Sequence, residues 1–109
     1  MSQFDVHRNP GKNAAATPFV VVVQSAAFDE RKNRIVIPLA RTEKASANVG
    51  MVASRVNPVF EIDDVQVTLH TLQVVSVPID SLDKKVGSLA HQADAIIDAM
   101  DEVFSRAYG

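Results

Sequence analysis

The end of the chain carries the clearest periodic pattern in the sequence, and this pattern predicts an amphipathic helix. Its apolar residues recur at helical spacing: Leu89, Ala93, Ile96, Ile97, Met100, Val103 and Phe104. Ser88 is a candidate N-cap, and Gly87 before it helps the chain to turn into the helix. The other apolar segments are short and strand-like. We therefore expect a mainly β fold of five or more antiparallel strands, closed by one C-terminal helix.

Two strands are predicted near the start of the chain. Apolar and polar residues alternate over residues 3–7 and turn-forming residues follow at 9–13, which indicates a strand and a loop. Residues 19–23 are apolar on both faces of an extended segment. Because one small core covers only one of these faces, a second subunit is the simplest cover for the other. We therefore expect a homodimer, with Val23 and Val103 as candidate interface residues.

A third strand is predicted at residues 34–39, which are rich in β-branched side chains. Pro38 removes a donor from the hydrogen-bond ladder, so this strand is expected to lie at an edge or to contain a bulge. Residues 42–55 show no firm period and are predicted to be irregular.

A β-hairpin is predicted in the second half of the chain. Residues 59–62 and 65–69 have strand character and flank Asp63 and Asp64, which tolerate the positive φ of a tight turn. A further short strand is predicted at residues 74–79. These segments, together with the helix, account for most of the second half.

Length and composition are those of one globular domain spanning residues 1–109. The chain is 47% apolar and 22% charged, as in ordinary folded proteins. A formal net charge of -2 disfavours direct binding to DNA. The absence of Cys excludes disulfides and thiolate metal sites, and the longest apolar run is too short to span a bilayer. We expect a cytoplasmic protein.

The residues of the chain do not form a recognisable catalytic or cofactor-binding motif. No Gly-rich loop, nucleophile elbow or zinc-binding spacing surrounds His7, His70 or His91. His70 is interpreted as a solvated histidine on the polar face of a strand. We therefore expect a protein that is not an enzyme and needs no metal or other cofactor.

An acidic stripe, formed by Asp94, Asp98 and Asp101 with Glu102 beside it, lies along the predicted helix. Carboxylate metal centres of helical type need ligands from several helices, so a metal site is disfavoured. The helix macrodipole disfavours negative charge near the C-terminal end by about 0.3–1 kcal/mol, which Arg106 partly offsets through Glu102. Two interpretations remain open, a solvated face and a patch that meets a basic partner.

Several short segments, taken in order, resemble the CcdB family of toxins. They are Val23-Gln24-Ser25, Asp29, residues 34–40, Asn57-Pro58-Val59, Ser76-Val77-Pro78, and the helix residues His91, Ile96, Ala99 and Phe104. Their order and spacing resemble the family from Phe4 to Phe104. The resemblance implies an SH3-like antiparallel barrel with a C-terminal helix, assembled as a symmetric homodimer.

The resemblance also implies a function. Proteins of this family wedge into the breakage-reunion domain of DNA gyrase after it cuts DNA, and so trap the cleaved complex. A paired antitoxin neutralises them by wrapping an initially disordered tail over the toxin. The toxin–antitoxin complex represses its own operon, so operator DNA is contacted only through that complex. We expect such a toxin, of the kind used in plasmid maintenance.

The resemblance implies a set of topoisomerase contacts: Phe28, Asp101, Phe104, Ser105, Arg106 and Ala107. The last three depart from the family pattern, which ends the helix with Trp-Gly-Ile and stacks the Trp on an arginine of gyrase. Such stacking contributes about 0.5–2 kcal/mol per pair. Arg106 instead presents like charge to that arginine, and Tyr108 is an aromatic residue in a displaced position.

Three functions remain open. The first is a poison of gyrase or of another type II topoisomerase. The second is a diverged member that keeps dimer and antitoxin binding but has lost poisoning, which residues 105–107 favour. The third is an endoribonuclease toxin of the same barrel fold. It needs a convergent acid/base pair and usually a basic surface, neither of which is recognisable here.

Overall fold

The computed structural model describes residues 2–45 and 55–104. These ranges contain seven strands: β1 (Asp5–Arg8), β2 (Phe19–Val22), β3 (Asn33–Arg41), β4 (Val59–Ile62), β5 (Val65–Leu69), β6 (Val75–Pro78) and β7 (Lys85–Ser88). The helices are α1 (Thr42–Ala45) and α2 (Ala93–Phe104). The strands pair antiparallel in the order β4-β5-β3-β2-β1-β7, and β6 also pairs with β3. The predicted class, a mainly β, SH3-like curled sheet with a C-terminal helix, is confirmed.

Strand β3 is central to the sheet, so the prediction of an edge strand or bulge at Pro38 was wrong. One side of β3 pairs with β2, and the other side pairs first with β6 and then with β5. The Pro38 carbonyl accepts a hydrogen bond from the His70 N–H at 2.9 Å on that second side. Because the N–H and carbonyl of a strand residue point the same way, the missing donor of Pro38 faces the junction between β6 and β5. A proline is tolerated where the ladder changes partner.

Strand β2 is buried on both faces by residues of its own chain. Val21 points into the main core, while Val20 and Val22 lie on the opposite face. The smaller cluster on that face is completed by Val36, Val77 and Leu82. A second subunit is not needed to cover β2, so the argument for a dimer from residues 19–23 was wrong. The homodimer itself stays a prediction.

The main core lies between the inner face of the curled sheet and helix α2. Its buried side chains are Phe4, Val6, Phe19, Val21, Val23, Ile37, Leu39, Phe60, Ile62, Val67, Leu69, Leu89, Ile96 and Ala99. Ile96 and Ala99 are the fully buried residues of α2, one turn apart on the same helix face. Ala93, Ala95 and Met100 of the same helix pack against the core as partly buried residues, while Phe104 at the C-terminal end of α2 is exposed.

The hairpin between β4 and β5 is confirmed. Asp63 and Asp64 have φ of 49° and 64°, between the paired residues Ile62 and Val65. Positive φ at both central residues matches a type I′ turn, whose twist fits that of the flanking strands. Aspartate tolerates this left-handed conformation better than most side chains.

The segment before α2 differs from its prediction. Residues 85–88 form β7, which pairs with β1, so Gly87 lies in a strand and not in a turn into the helix. The Leu89 N–H donates to the Phe4 carbonyl at 2.8 Å, which adds one more hydrogen bond beyond the paired residues of β7 and β1. The Ser88 hydroxyl accepts from the Ala90 N–H at 3.1 Å, but Leu89 is the residue that precedes the 3-10 turn Ala90–Gln92, and the α-helix begins only at Ala93. The prediction of Ser88 as N-cap of the helix was therefore wrong.

Helix α1 occupies the start of the segment that was predicted to be irregular. The Thr42 hydroxyl lies 3.1 Å from that of Thr68 and ties α1 to β5. Residues 46–54 of the same prediction lie outside the described residues. Neither helix in the described ranges is long and apolar enough to cross a membrane.

Candidate functional site

Phe28 lies on the loop that follows β2, residues 25–32, which we call the Phe28 loop. The 3-10 turn Ala26–Phe28 begins with the Ser25 hydroxyl accepting a hydrogen bond from the Ala27 N–H at 3.2 Å. The Phe28 N–H donates to the Ser25 carbonyl at 3.0 Å. The Phe28 side chain is 53% exposed. The turn therefore presents an aromatic ring to solvent and not to the core.

Phe104, the last residue of α2, is 60% exposed and lines a shallow groove of about 330 Å³. Met100 lines the same groove from one turn earlier on the helix, as the i, i+4 spacing dictates. The opposite wall comes from the sheet, through Ile35, Val74 and Val75. The groove is thus an apolar surface formed where the end of α2 meets β3 and β6.

Ile35 connects this groove to Phe28. A second shallow groove, of about 300 Å³, is lined by Gln24, Phe28, Arg31 and Ile35. Ile35, which lines both grooves, is 40% exposed. We call the exposed and half-buried side chains along this path the apolar strip: Phe28, Ile35, Val75, Met100 and Phe104. The strip joins two of the predicted topoisomerase contacts, which are far apart in the sequence.

Asp101 lies beside a cluster of ion pairs on α2. Arg55 donates to both carboxylate oxygens of Asp98 at 2.6 and 2.7 Å, and lies 3.0 Å from Glu102. These carboxylates raise the pKa of Arg55, with the largest effect from Asp98 and the smallest from Asp101. The stripe is therefore not simply a solvated face, since Asp98 and Glu102 are paired within the chain. Asp101 is exposed and lines neither groove of the apolar strip.

The remaining predicted interface residues lie apart from the strip or outside the described ranges. Val23, at 5% exposed, belongs to the main core and offers almost no surface to a second subunit. Val103 is half-buried on α2. Ser105, Arg106 and Ala107 lie outside the described residues, as does Tyr108.

The histidines occupy separate structural positions. His7 is buried in β1, and its Nδ1–H donates to the Asp83 carbonyl at 2.8 Å. His70 lines a groove of about 370 Å³ with Val20 and Val36. Burial there lowers the pKa of His70, so it is not the fully solvated residue that the strand pattern predicted. Among residues 2–45 and 55–104, no group of three His, Asp or Glu side chains is placed to hold a metal ion.

Ile35, Val75 and Met100 belong to the strip but were not predicted as site residues. Ile35 shares a strand face with Ile37 and Leu39, both fully buried in the main core. Alternation along β3 therefore assigns Ile35 to the core as well. Ile35 is 40% exposed on the groove that it shares with Met100 and Phe104, and the strand pattern does not reveal this exposure.

The fold and the strip together define a small SH3-like β protein with a C-terminal helix and an apolar strip that runs from the helix end to the Phe28 loop. The family described as CcdB protein matches residues 3–105, nearly the whole chain, and the chain belongs to that family. Proteins of this family are toxins of toxin–antitoxin systems that poison gyrase. A search of curated proteins finds no significant match to the chain.

Proposed function

We propose that this chain is the toxin of a toxin–antitoxin pair, which binds DNA gyrase or a related type II topoisomerase and carries out no chemistry of its own. The observation that carries the proposal is the apolar strip, which brings Phe28 and Phe104 onto one surface. Exposed aromatic side chains on such a patch are typical of protein–protein contacts. Family membership supplies the class of partner.

The strip supports binding through burial energy. Phe28 and Phe104 are about half exposed, and complete burial of such a side chain stabilises a complex by about 1.5–3 kcal/mol. Each ring therefore has roughly 1 kcal/mol or more to contribute when a partner covers it. In a homodimer the surface occurs twice, so a symmetric target can engage both copies.

The proposal includes a homodimer, which family membership supports in place of the argument from strand β2. Val23 has little surface for this interface, so Val103 at the end of α2 is the better candidate of the two. Sedimentation equilibrium at micromolar concentration is expected to give twice the mass of the chain. A monomer there would contradict this part of the proposal.

The remaining partners follow from family membership and charge. We infer that an antitoxin neutralises the protein in the cytoplasm by covering the toxin surface with a segment that folds on binding. The formal net charge of -2 gives the chain no general attraction to nucleic acid. Contact with operator DNA is therefore assigned to the complex with the antitoxin.

The experiment that tests the proposal measures linearised plasmid formed by purified gyrase in the presence of the full chain. Phe28→Ala and Phe104→Ala should each reduce cleavage relative to the unmodified protein. Leu72→Ala is the matched control, because Leu72 is 71% exposed but lines neither groove of the strip. Equal effects of all three substitutions would contradict the assignment of the surface.

A second candidate function, a member that binds the antitoxin but does not poison, is favoured by the residues at positions 105–107. It predicts that the chain forms a complex with the antitoxin encoded beside it, while gyrase cleavage stays at background. The endoribonuclease function predicts instead that pure protein degrades RNA. His70 does not favour it, since burial lowers its pKa and its groove is lined by Val20 and Val36.

A further inference from the structure

The Phe28 loop has almost no apolar packing of its own. Among residues 25–32 only Asp29 is half-buried, and the others are exposed. An exposed loop of this kind keeps a single conformation only when hydrogen bonds hold it, because each ordered residue loses conformational entropy. The position of Phe28 therefore depends on the groups that bond to the loop backbone.

Gln24, the residue before the loop, bonds to it and to the strand that follows it. Its side-chain amide donates to the Phe28 carbonyl at 3.0 Å and to the Asn33 carbonyl at 3.3 Å. Its side-chain oxygen accepts from the Ile35 N–H at 3.3 Å. The Gln24 side chain thus holds the backbone of Phe28 at a fixed position relative to the start of β3, where Ile35 lies.

Arg34 makes hydrogen bonds to backbone carbonyls in the second half of the loop and at the start of β3. Its guanidinium, in a residue only 5% exposed, donates to the carbonyls of Asp29, Arg31 and Asn33 at 2.6, 2.7 and 3.0 Å. Burying a cation costs free energy unless several hydrogen-bond acceptors surround it. A short Gly-containing turn would connect the two antiparallel strands without such a buried cation. The more elaborate arrangement gives the Phe28 ring a fixed place.

We propose that Gln24 and Arg34 are positioning residues, which together form a clamp that holds Phe28 in its binding position before the topoisomerase arrives. The inference rests on the proposed function, because the contact of Phe28 with the topoisomerase is itself a proposal. A loop that is ordered in advance spares the entropy of ordering it in the complex. Loss of the clamp therefore weakens binding through the position of the Phe28 ring, although Gln24 itself also lines the groove beside that ring.

The test is a double-mutant cycle between Gln24→Leu and Phe28→Ala, with affinity of the full chain for the breakage-reunion domain of gyrase as the readout. Gln24→Leu removes the hydrogen bonds of the amide, and about two- to tenfold weaker binding is expected. In the Phe28→Ala background the same substitution should have no further effect, since the ring it positions is gone. A merely structural role would lower affinity equally in both backgrounds.

Asn9→Leu is the matched control, because the Asn9 side-chain amide also makes hydrogen bonds to backbone groups, at the other end of β2. Its amide donates to the Thr17 carbonyl at 2.8 Å, and its side-chain oxygen accepts from the Gly11 N–H at 2.9 Å. Both Asn9 and Gln24 are half-buried. Asn9→Leu should lower stability to a similar degree and leave the affinity for gyrase unchanged.

The outcomes separate the two proposals. If Phe28→Ala weakens binding but Gln24→Leu does not, only the positioning role is overturned. If Phe28→Ala has no effect, the assigned surface fails, and with it the role of the clamp in binding.

Amide hydrogen exchange tests the clamp without any partner. The N–H groups of Phe28 and Arg31, which donate to the Ser25 and Phe28 carbonyls, should exchange faster in Gln24→Leu than in Asn9→Leu. Unchanged exchange would overturn the clamp, even if the chain bound no gyrase. Gln24→Leu carries the test because Arg34 is buried, and Arg34→Met risks unfolding the chain.

Discussion

Ile96→Ala is expected to destabilise the protein strongly, because Ile96 attaches the helix that carries Phe104. Ile96 is fully buried against the sheet, whereas its neighbour Ile97 is 46% exposed on the same helix. Both substitutions replace isoleucine by alanine within α2. The difference between them therefore isolates packing from helix propensity, which is nearly the same at the two sites.

The magnitude follows from what each substitution removes from contact with the core. At Ile96, loss of the side chain beyond Cβ removes about 0.8 kcal/mol per buried carbon and leaves a cavity, for a total of about 2–5 kcal/mol. At Ile97 about half of the side chain is already solvated, and alanine gains a few tenths in helix propensity, so the net loss is below about 1 kcal/mol. A domain of this size has about 5–15 kcal/mol of stability in total.

Urea denaturation followed by circular dichroism measures both free energies of unfolding. The midpoint should fall far more for Ile96→Ala than for Ile97→Ala, with similar slopes. The reasoning is refuted if the two losses agree within about 0.5 kcal/mol, an interval typical of surface substitutions. Such a result would mean that α2 does not dock through the face that contains Ile96.

Three further predictions concern pH and the end of the chain. Burial lowers the pKa of His70 below its ordinary 6.5, so the unfolded chain binds a proton at this residue at a higher pH than the folded chain does. The free energy of unfolding should therefore fall as pH drops below about 6.5. Denaturation curves measured over this pH range should show a weaker dependence for His70→Gln. Burial raises the pKa of Asp5, but the Ser2 N–H and Lys85 together lower it more, to a net value below 3.8. The stability that Asp5 supplies is thus present above 3.8 and lost as pH falls through the lower folded value, and Asp5→Asn should remove it at neutral pH. The last prediction replaces residues 105–107 by Trp, Gly and Ile and deletes the two residues after them. This variant should increase gyrase-mediated plasmid linearisation, since two stacking pairs add about 1–4 kcal/mol to the free energy of binding. Strong cleavage by the unmodified chain, unchanged by the replacement, would refute this.

The site could be predicted only in part. Phe28 and Phe104 were placed by resemblance to a family, and both are exposed on the strip. Ile35 was not found, because an exposed and a buried isoleucine look alike in an alternating strand. The hydrogen bonds of Gln24 and Arg34 could not be predicted from the sequence either, since they depend on where the backbone of the Phe28 loop lies in space.

Elements that depend mainly on neighbouring residues could be predicted from the amino-acid sequence. The hairpin at Asp63 and Asp64 follows from residues that accept positive φ, and helix α2 follows from apolar residues at helical spacing. The spacing did not show which of them are buried, since Ile97 and Phe104 are exposed. The cover of strand β2 and the pairing of residues 85–88 with β1 became apparent only in the folded chain. The reason is that these outcomes depend on contacts between residues far apart in the chain, and local preference does not specify them.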